Sequence, residues 1–120
     1  MSVKSRTEVN GKIGIIEVRG SLVGDSETDQ FREVVADFVE QGNKSLVVDL
    51  EKVGYMNSSG LGALISTHTT YSKIGGAVRL SGLTNNVQNL LIMTKLIDVF
   101  DVCDSVDDAI DSLLKSKSTT

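Results

Sequence analysis

The chain has 120 residues, 16 Asp and Glu against 12 Lys and Arg, and a net charge of −4. That length builds one domain around one core, and the acidic balance argues against nucleic acid or an anionic membrane as a partner, since both call for a basic patch. A single cysteine, Cys103, excludes an internal disulfide and a cysteine-rich metal site, and no apolar run approaches the roughly 20 residues of a membrane span.

The N-terminus, Met1-Ser2-Val3-Lys4-Ser5-Arg6, lacks the apolar stretch of a secretory signal. The expectation is a soluble, cytoplasmic protein that forms one domain over residues 1–120, with 115–120 a frayed polar tail. Thr7 to Val18 reads as a hairpin, with Asn10-Gly11 at its turn and Ile13 to Val18 as a β-rich second strand. Gly20-Ser21-Leu22-Val23-Gly24 reads as a loop, and Asp25 or Ser26 then caps a helix. Phe31, Val34, Val35, Phe38 and Val39 recur at helical spacing and give that helix one apolar face, which Gly42 closes.

Ser45 to Leu50 is a short, almost wholly apolar run, as expected of a strand covered on both faces. A short loop should follow, and a second helix should start near Asn57, with Leu61, Leu64, Ile65 and Ile74 on or near one face. It stops at Gly75-Gly76, and Ala77 to Ser81 is the next strand. Thr84 to Thr94 is a third helix with Val87, Leu90 and Leu91 inward, and Val99 to Val102 a last short strand. Ser105 caps a fourth helix, with Asp108 at the acidic capping-box position and Val106, Ala109, Ile110, Leu113 and Leu114 as its buried stripe. The order β-β-α-β-α-β-α-β-α defines an α/β fold. Its sheet should have four to five mostly parallel strands in sequence order, an N-terminal antiparallel hairpin and about four helices.

Several kinds of chemistry fail on spacing. A nucleophile elbow needs Gly-x-Ser-x-Gly, and Gly54 and Gly60 frame neither Ser58 nor Ser59 in that way. The only histidine, His68, lies about ten residues further along the same helix, roughly 15 Å at the helical rise, too far to act as a base for either serine. Gly60-Leu61-Gly62 begins a nucleotide-type pattern, but Ile65 occupies the third small position and no Lys-Ser or Lys-Thr follows. His68 reads as a half-buried core histidine beside Leu64 and Ile65, and one histidine far from one cysteine makes no zinc site. Asp98, Asp101, Asp104, Asp107, Asp108 and Asp111 lack the glycine turn and terminal glutamate of a calcium loop, and read as caps and a solvated face. No metal, cofactor or catalytic constellation is expected.

What remains is Asn57-Ser58-Ser59-Gly60 at a helix start. One polar residue suffices for a cap, yet three precede two glycines, and each glycine costs roughly 1 kcal/mol relative to alanine inside a helix. An accessible, closely approachable helix start would account for that. Helix N-termini offer free N–H groups and a positive dipole end, so a hydroxyl there is well sited to carry a phosphate.

Val47-Val48-Asp49-Leu50 followed by Tyr55-Met56-Asn57-Ser58-Ser59-Gly60-Leu61-Gly62-Ala63-Leu64 resembles the signature of the STAS domain family, and within it the bacterial anti-sigma factor antagonists. Val18-Arg19-Gly20-Ser21-Leu22, and Leu90-Leu91 with Thr94-Lys95-Leu96-Ile97-Asp98-Val99-Phe100, agree, so the likeness covers nearly the whole chain. The resemblance implies a non-enzymatic partner switch. The unphosphorylated antagonist binds an anti-sigma factor that is also a serine kinase and releases the sigma factor; phosphorylation ends the binding and a serine phosphatase resets it. The implied acceptor is Ser58, with Ser59 as the fallback. The implied docking surface is Asp25, Ser26, Asn57, Ser58, Ser59, Gly60, Leu61, Gly62 and Leu83, because the Gly20–Ser26 loop and the Ser81–Thr84 turn both follow the C-terminal ends of parallel strands. The family's usual Asp before the acceptor is Asn57 here, which still caps a helix but removes a negative charge and a magnesium-binding carboxylate. Other STAS proteins serve non-sigma kinase switches, transport complexes or nucleotide sensing, and such a regulatory subunit is the alternative.

Overall fold

The computed structural model describes residues 2–118. The elements follow the order β1 (Ser2–Glu8), β2 (Ile13–Leu22), α1 (Ser26–Glu40), β3 (Ser45–Met56), α2 (Ser58–Lys73), β4 (Ala77–Ser81), α3 (Asn85–Met93), β5 (Asp101–Cys103) and α4 (Val106–Ser118). They form one five-stranded sheet in the order β1-β2-β3-β4-β5, antiparallel at β1–β2 and parallel elsewhere. The expected α/β architecture and strand order are therefore those observed.

The hairpin turns at Asn10-Gly11, where φ values of 58° and 81° and a Lys12 N–H bond to the Val9 carbonyl (3.2 Å) make the turn that matches strand twist. Its first strand is longer than expected and starts at Ser2. An edge strand carrying Lys4 and Arg6 has no apolar alternation to give it away, and such charges protect an open edge.

The largest departure lies at the ends of β2 and β3. The 20–24 segment and the 51–56 segment, both expected as loops, continue as paired strands to Leu22 and Met56. The register slips twice: Glu17 faces Asp49 but Arg19 faces Lys52, and Gly20 faces Val53 but Ser21 faces Tyr55. Each slip places one extra residue on β3, which is a β-bulge. Inward positions on β3 therefore fall at Leu50, Val53 and Met56, three apart. A period of three hides a strand from any search for alternation.

Helices α1, α2 and α3 cover one face of the sheet, burying Phe31, Phe38, Leu64, Tyr71, Val87 and Leu91 against Ile16, Val18, Leu46, Val48 and Leu80. Helix α4 covers the other face, where Ala109 and Leu113 pack on Ile13, Ile15 and Val47. Leu114, expected in that stripe, is 38 % exposed, because a single helix over a sheet buries only a narrow strip. Ser105 caps α4 by accepting the Asp108 N–H at 3.1 Å, and the helical backbone continues through 115–118, where a frayed tail was expected. Residues 119 and 120 of that tail lie outside the described residues. Strand β5 begins at Asp101, not Val99, because Val99 closes a turn onto the Leu96 carbonyl (3.0 Å) and Phe100 drops into the core. Among the described residues no helix is long and apolar enough to cross a membrane.

Candidate functional site

Strands β2 and β3 end side by side, with Leu22 paired to Met56. One residue, Asn57, separates β3 from α2. Its backbone is extended (φ −111°, ψ −170°), and its side-chain Oδ1 accepts from the Ser59 N–H (3.0 Å) and the Gly60 N–H (3.2 Å). Its carbonyl accepts the Leu61 N–H at 2.9 Å. Two of the four N–H groups that a helix start leaves without partners are thus held by the Asn57 side chain, and its carbonyl takes the first regular helical bond. Asn57 also reaches sideways: its backbone N–H donates to the Leu22 carbonyl and its Nδ2 to the Val23 carbonyl, both at 3.2 Å. A carboxylate could accept the first pair of bonds but could not make the last one.

Because Asn57 makes the cap, Ser58 has no capping duty, and it stands exposed at the first position of α2. Ser59 is also exposed but packs beneath the 22–24 segment: a Cβ on Gly24 would fall 2.9 Å from the Ser59 Cβ. Gly24 has φ +87° and is required both for that turn and for this approach. Gly60 has a comparable reason. A Cβ there would enter the Leu22 carbonyl oxygen and lie 2.7 Å from the Leu22 Cβ. Gly62 does not, for nothing lies within 4 Å of its Cβ position. Of the two glycines, only Gly60 is therefore explained by packing within the chain.

Asp25 caps α1 by position but makes no side-chain cap bond; Thr28 Oγ1 instead ties the preceding loop back to the helix, accepting the Gly24 N–H at 3.0 Å. Asp25 and Ser26 are exposed and follow directly on the segment that Asn57 holds. The structure thus assembles Asp25, Ser26, Asn57, Ser58 and Ser59 at one corner, with Gly62 half-buried one helical turn beyond Ser58.

Two expected docking residues need correction. Leu61 is only 6 % exposed and belongs to the core, because the first turn of α2 already faces the sheet. Leu83 is half-buried against the same core, on a turn whose neighbours Gly82, Thr84 and Asn86 lie beside β3 at Glu51–Gly54. Thr84 Oγ1 donates to the Val53 carbonyl (2.8 Å), and Asn86 Nδ2 to the Gly54 carbonyl (3.0 Å). The cause is strand length: β4 pairs with β3 only as far as Asp49, and β3 runs on to Met56. Tyr55, quoted within the motif but not among the expected docking residues, is 56 % exposed two residues before Asn57.

The first turn of α2 carries no acidic residue, so its positive dipole end meets no nearby carboxylate of its own. His68 is half-buried further along the helix, edge-on to Phe100 with ring centres 5.7 Å apart. Among the described residues no group of three or more His, Cys, Asp or Glu side chains could hold a metal ion. The corner offers an exposed hydroxyl on an anion-favouring helix end, tied rigidly to a neighbouring loop.

A sheet of this order with such a strand-to-helix corner defines a STAS-type domain. The chain belongs to the STAS domain family, whose model matches residues 4–109. It is 35 % identical over 71 residues to the anti-sigma-B factor antagonist of Bacillus subtilis, a match that covers 59 % of this chain and 64 % of that protein. It is 27 % identical over 103 residues to the Staphylococcus aureus protein of the same name, covering 85 % and 94 % respectively. Among solved structures it is similar to the anti-sigma factor antagonist SpoIIAA of Bacillus. The unphosphorylated form has a TM-score of 0.73 at 18 % identity, covering 92 % of this chain and 96 % of that one. The phosphorylated form also has a TM-score of 0.73, at 17 % identity, covering 92 % and 98 %.

Proposed function

We propose that this chain is an anti-sigma factor antagonist that acts by binding, not catalysis, and that phosphorylation of Ser58 controls the binding. The unphosphorylated protein docks an anti-sigma factor with serine kinase activity and so frees a sigma factor. The kinase transfers the γ-phosphoryl group of ATP to the Ser58 Oγ, the hydroxyl proton leaves to a base on the kinase, ADP departs, and the complex separates. A serine phosphatase hydrolyses the ester and restores the binding form.

The observation that carries the reading is the division of labour at the corner. Asn57 alone caps α2, and Ser58 presents an exposed hydroxyl at the anion-favouring helix end. Ser59 is exposed too, but it lies against Gly24 of the neighbouring loop and its N–H is taken up by the Asn57 cap, so Ser58 is the freer acceptor. The names of the relatives point the same way. A phosphate adds about −1.5 to −2 charges, which the helix end tolerates within this protein but which a docked surface must desolvate. Binding is therefore weakened by local electrostatics while the fold persists.

The test is affinity capture from the native lysate with wild type, Ser58→Ala and Ser58→Asp as baits. Wild type and Ser58→Ala should retain a kinase-type ATPase that Ser58→Asp loses, and the purified kinase should phosphorylate wild type but not Ser58→Ala. Equal retention on all three baits, or undiminished phosphorylation of Ser58→Ala, would sink the assignment.

A further inference from the structure

Resting on that reading, we infer that Asn57 relays a phosphate on Ser58 to the Val23–Ser26 loop, so that modification of α2 loosens the neighbouring half of the docking corner. The side chain of Asn57 has two ends with different jobs. Its oxygen holds the Ser59 and Gly60 N–H groups, and its nitrogen holds the Val23 carbonyl. The donors on the oxygen side are the groups an anion on the first residue of a helix seeks, because they are the free N–H groups of the first turn. A phosphate dianion accepts charge-assisted hydrogen bonds about twice as strong as those to a neutral amide oxygen, so it displaces Asn57 Oδ1. Planarity makes the amide a rigid lever. When Oδ1 leaves the helix N–H groups, Nδ2 turns away from Val23.

The other bonds that hold the loop run to α1 and not to α2. Gly24 sits at φ +87° and its N–H goes to Thr28 Oγ1, the Asp25 carbonyl accepts the Asp29 N–H at 3.1 Å, and Asp25 makes no side-chain cap bond. Asp25 and Ser26, two of the exposed residues at the corner, follow immediately. Aspartate at 57 could not act as this lever, since it has no N–H for Val23. The asparagine therefore exchanges a charge beside the acceptor for a mechanical link.

The experiment is nuclear magnetic resonance and amide hydrogen exchange on the full chain with phosphoserine installed at position 58, compared with wild type and Asn57→Asp. Phosphoserine should move the Asn57 side-chain amide resonance and speed exchange at the Gly24 N–H by about tenfold, the worth of one ordinary hydrogen bond, while β3 amides stay protected. Asn57→Asp should show fast exchange at Gly24 already, with no further change on phosphorylation. Loss of partner binding on phosphorylation with an unmoved Asn57 amide and an unchanged Gly24 rate would overturn the relay and leave the switch standing. Binding that survives phosphoserine would overturn the switch itself, whatever the loop does.

Discussion

Two glycines two positions apart on one helix should respond to the same substitution with opposite signs. Alanine at 62 finds open space, since nothing lies within 4 Å of the new methyl. It therefore gains the helix preference of alanine over glycine, about 0.8–1 kcal/mol. Alanine at 60 gains that same preference but drives its methyl into the carbonyl oxygen of Leu22, with the Leu22 Cβ at 2.7 Å and carbonyl carbon at 2.8 Å. Overpacking in a well-filled site costs about 1–3 kcal/mol, and a main-chain obstacle sets the upper end. Moving Leu22 also stretches the 3.2 Å bonds from Asn57 to the Leu22 and Val23 carbonyls. The net is a loss of about 2 kcal/mol for Gly60→Ala against a gain of about 1 kcal/mol for Gly62→Ala, a gap of about 3 kcal/mol. Urea denaturation at unchanged slope measures it, and melting temperatures should part by about 10 °C for a chain of this size. A Gly60→Ala protein as stable as wild type, or a destabilised Gly62→Ala, would refute the account of this corner as a close approach of strand end to helix start.

Two further predictions test the frame that holds the corner. The Tyr71 hydroxyl donates to Asn43 Oδ1 at 2.7 Å, and burial pushes the phenol well above its ordinary value of 10.0. A raised folded value means that this contribution is intact below the unfolded value and is lost as pH rises from there toward the folded one. Tyr71→Phe should cost about 1 kcal/mol at neutral pH by urea titration, and should show a shallower loss of stability than wild type above pH 10. Thr84→Ala removes both the α3 cap and the bond to the Val53 carbonyl, and should lower stability by about 1–2 kcal/mol, with Thr84→Ser recovering most of it. An equal loss in the alanine and serine variants would refute the role of the hydroxyl.

Much of the frame was legible in the chain because the signals were local. The Asn10-Gly11 turn, the caps at Asn57 and Ser105, and the span of β4 all stood where neighbouring residues put them. The position of Ser58 at a helix start was equally local, since a cap and its first turn are set by four residues in a row. The bulged end of β3 was not legible, because pairing with β2 decides which residues turn inward and each slip breaks the alternation. Strand β1 was half hidden for a related reason: an edge strand is defined by its partner and has little apolar pattern of its own.

By itself, then, the sequence determined the order of elements, the approximate helix starts, and a serine placed after a capping asparagine. Only the tertiary structure decided which of the residues near that serine share its corner. It brought in the Val23–Ser26 loop through the nitrogen of Asn57, withdrew Leu61 into the core, and packed Leu83 against that core. The reason is that capping is fixed by residues adjacent in the chain. Membership of a surface depends on how far each strand runs before it turns, and pairing between distant segments settles that length.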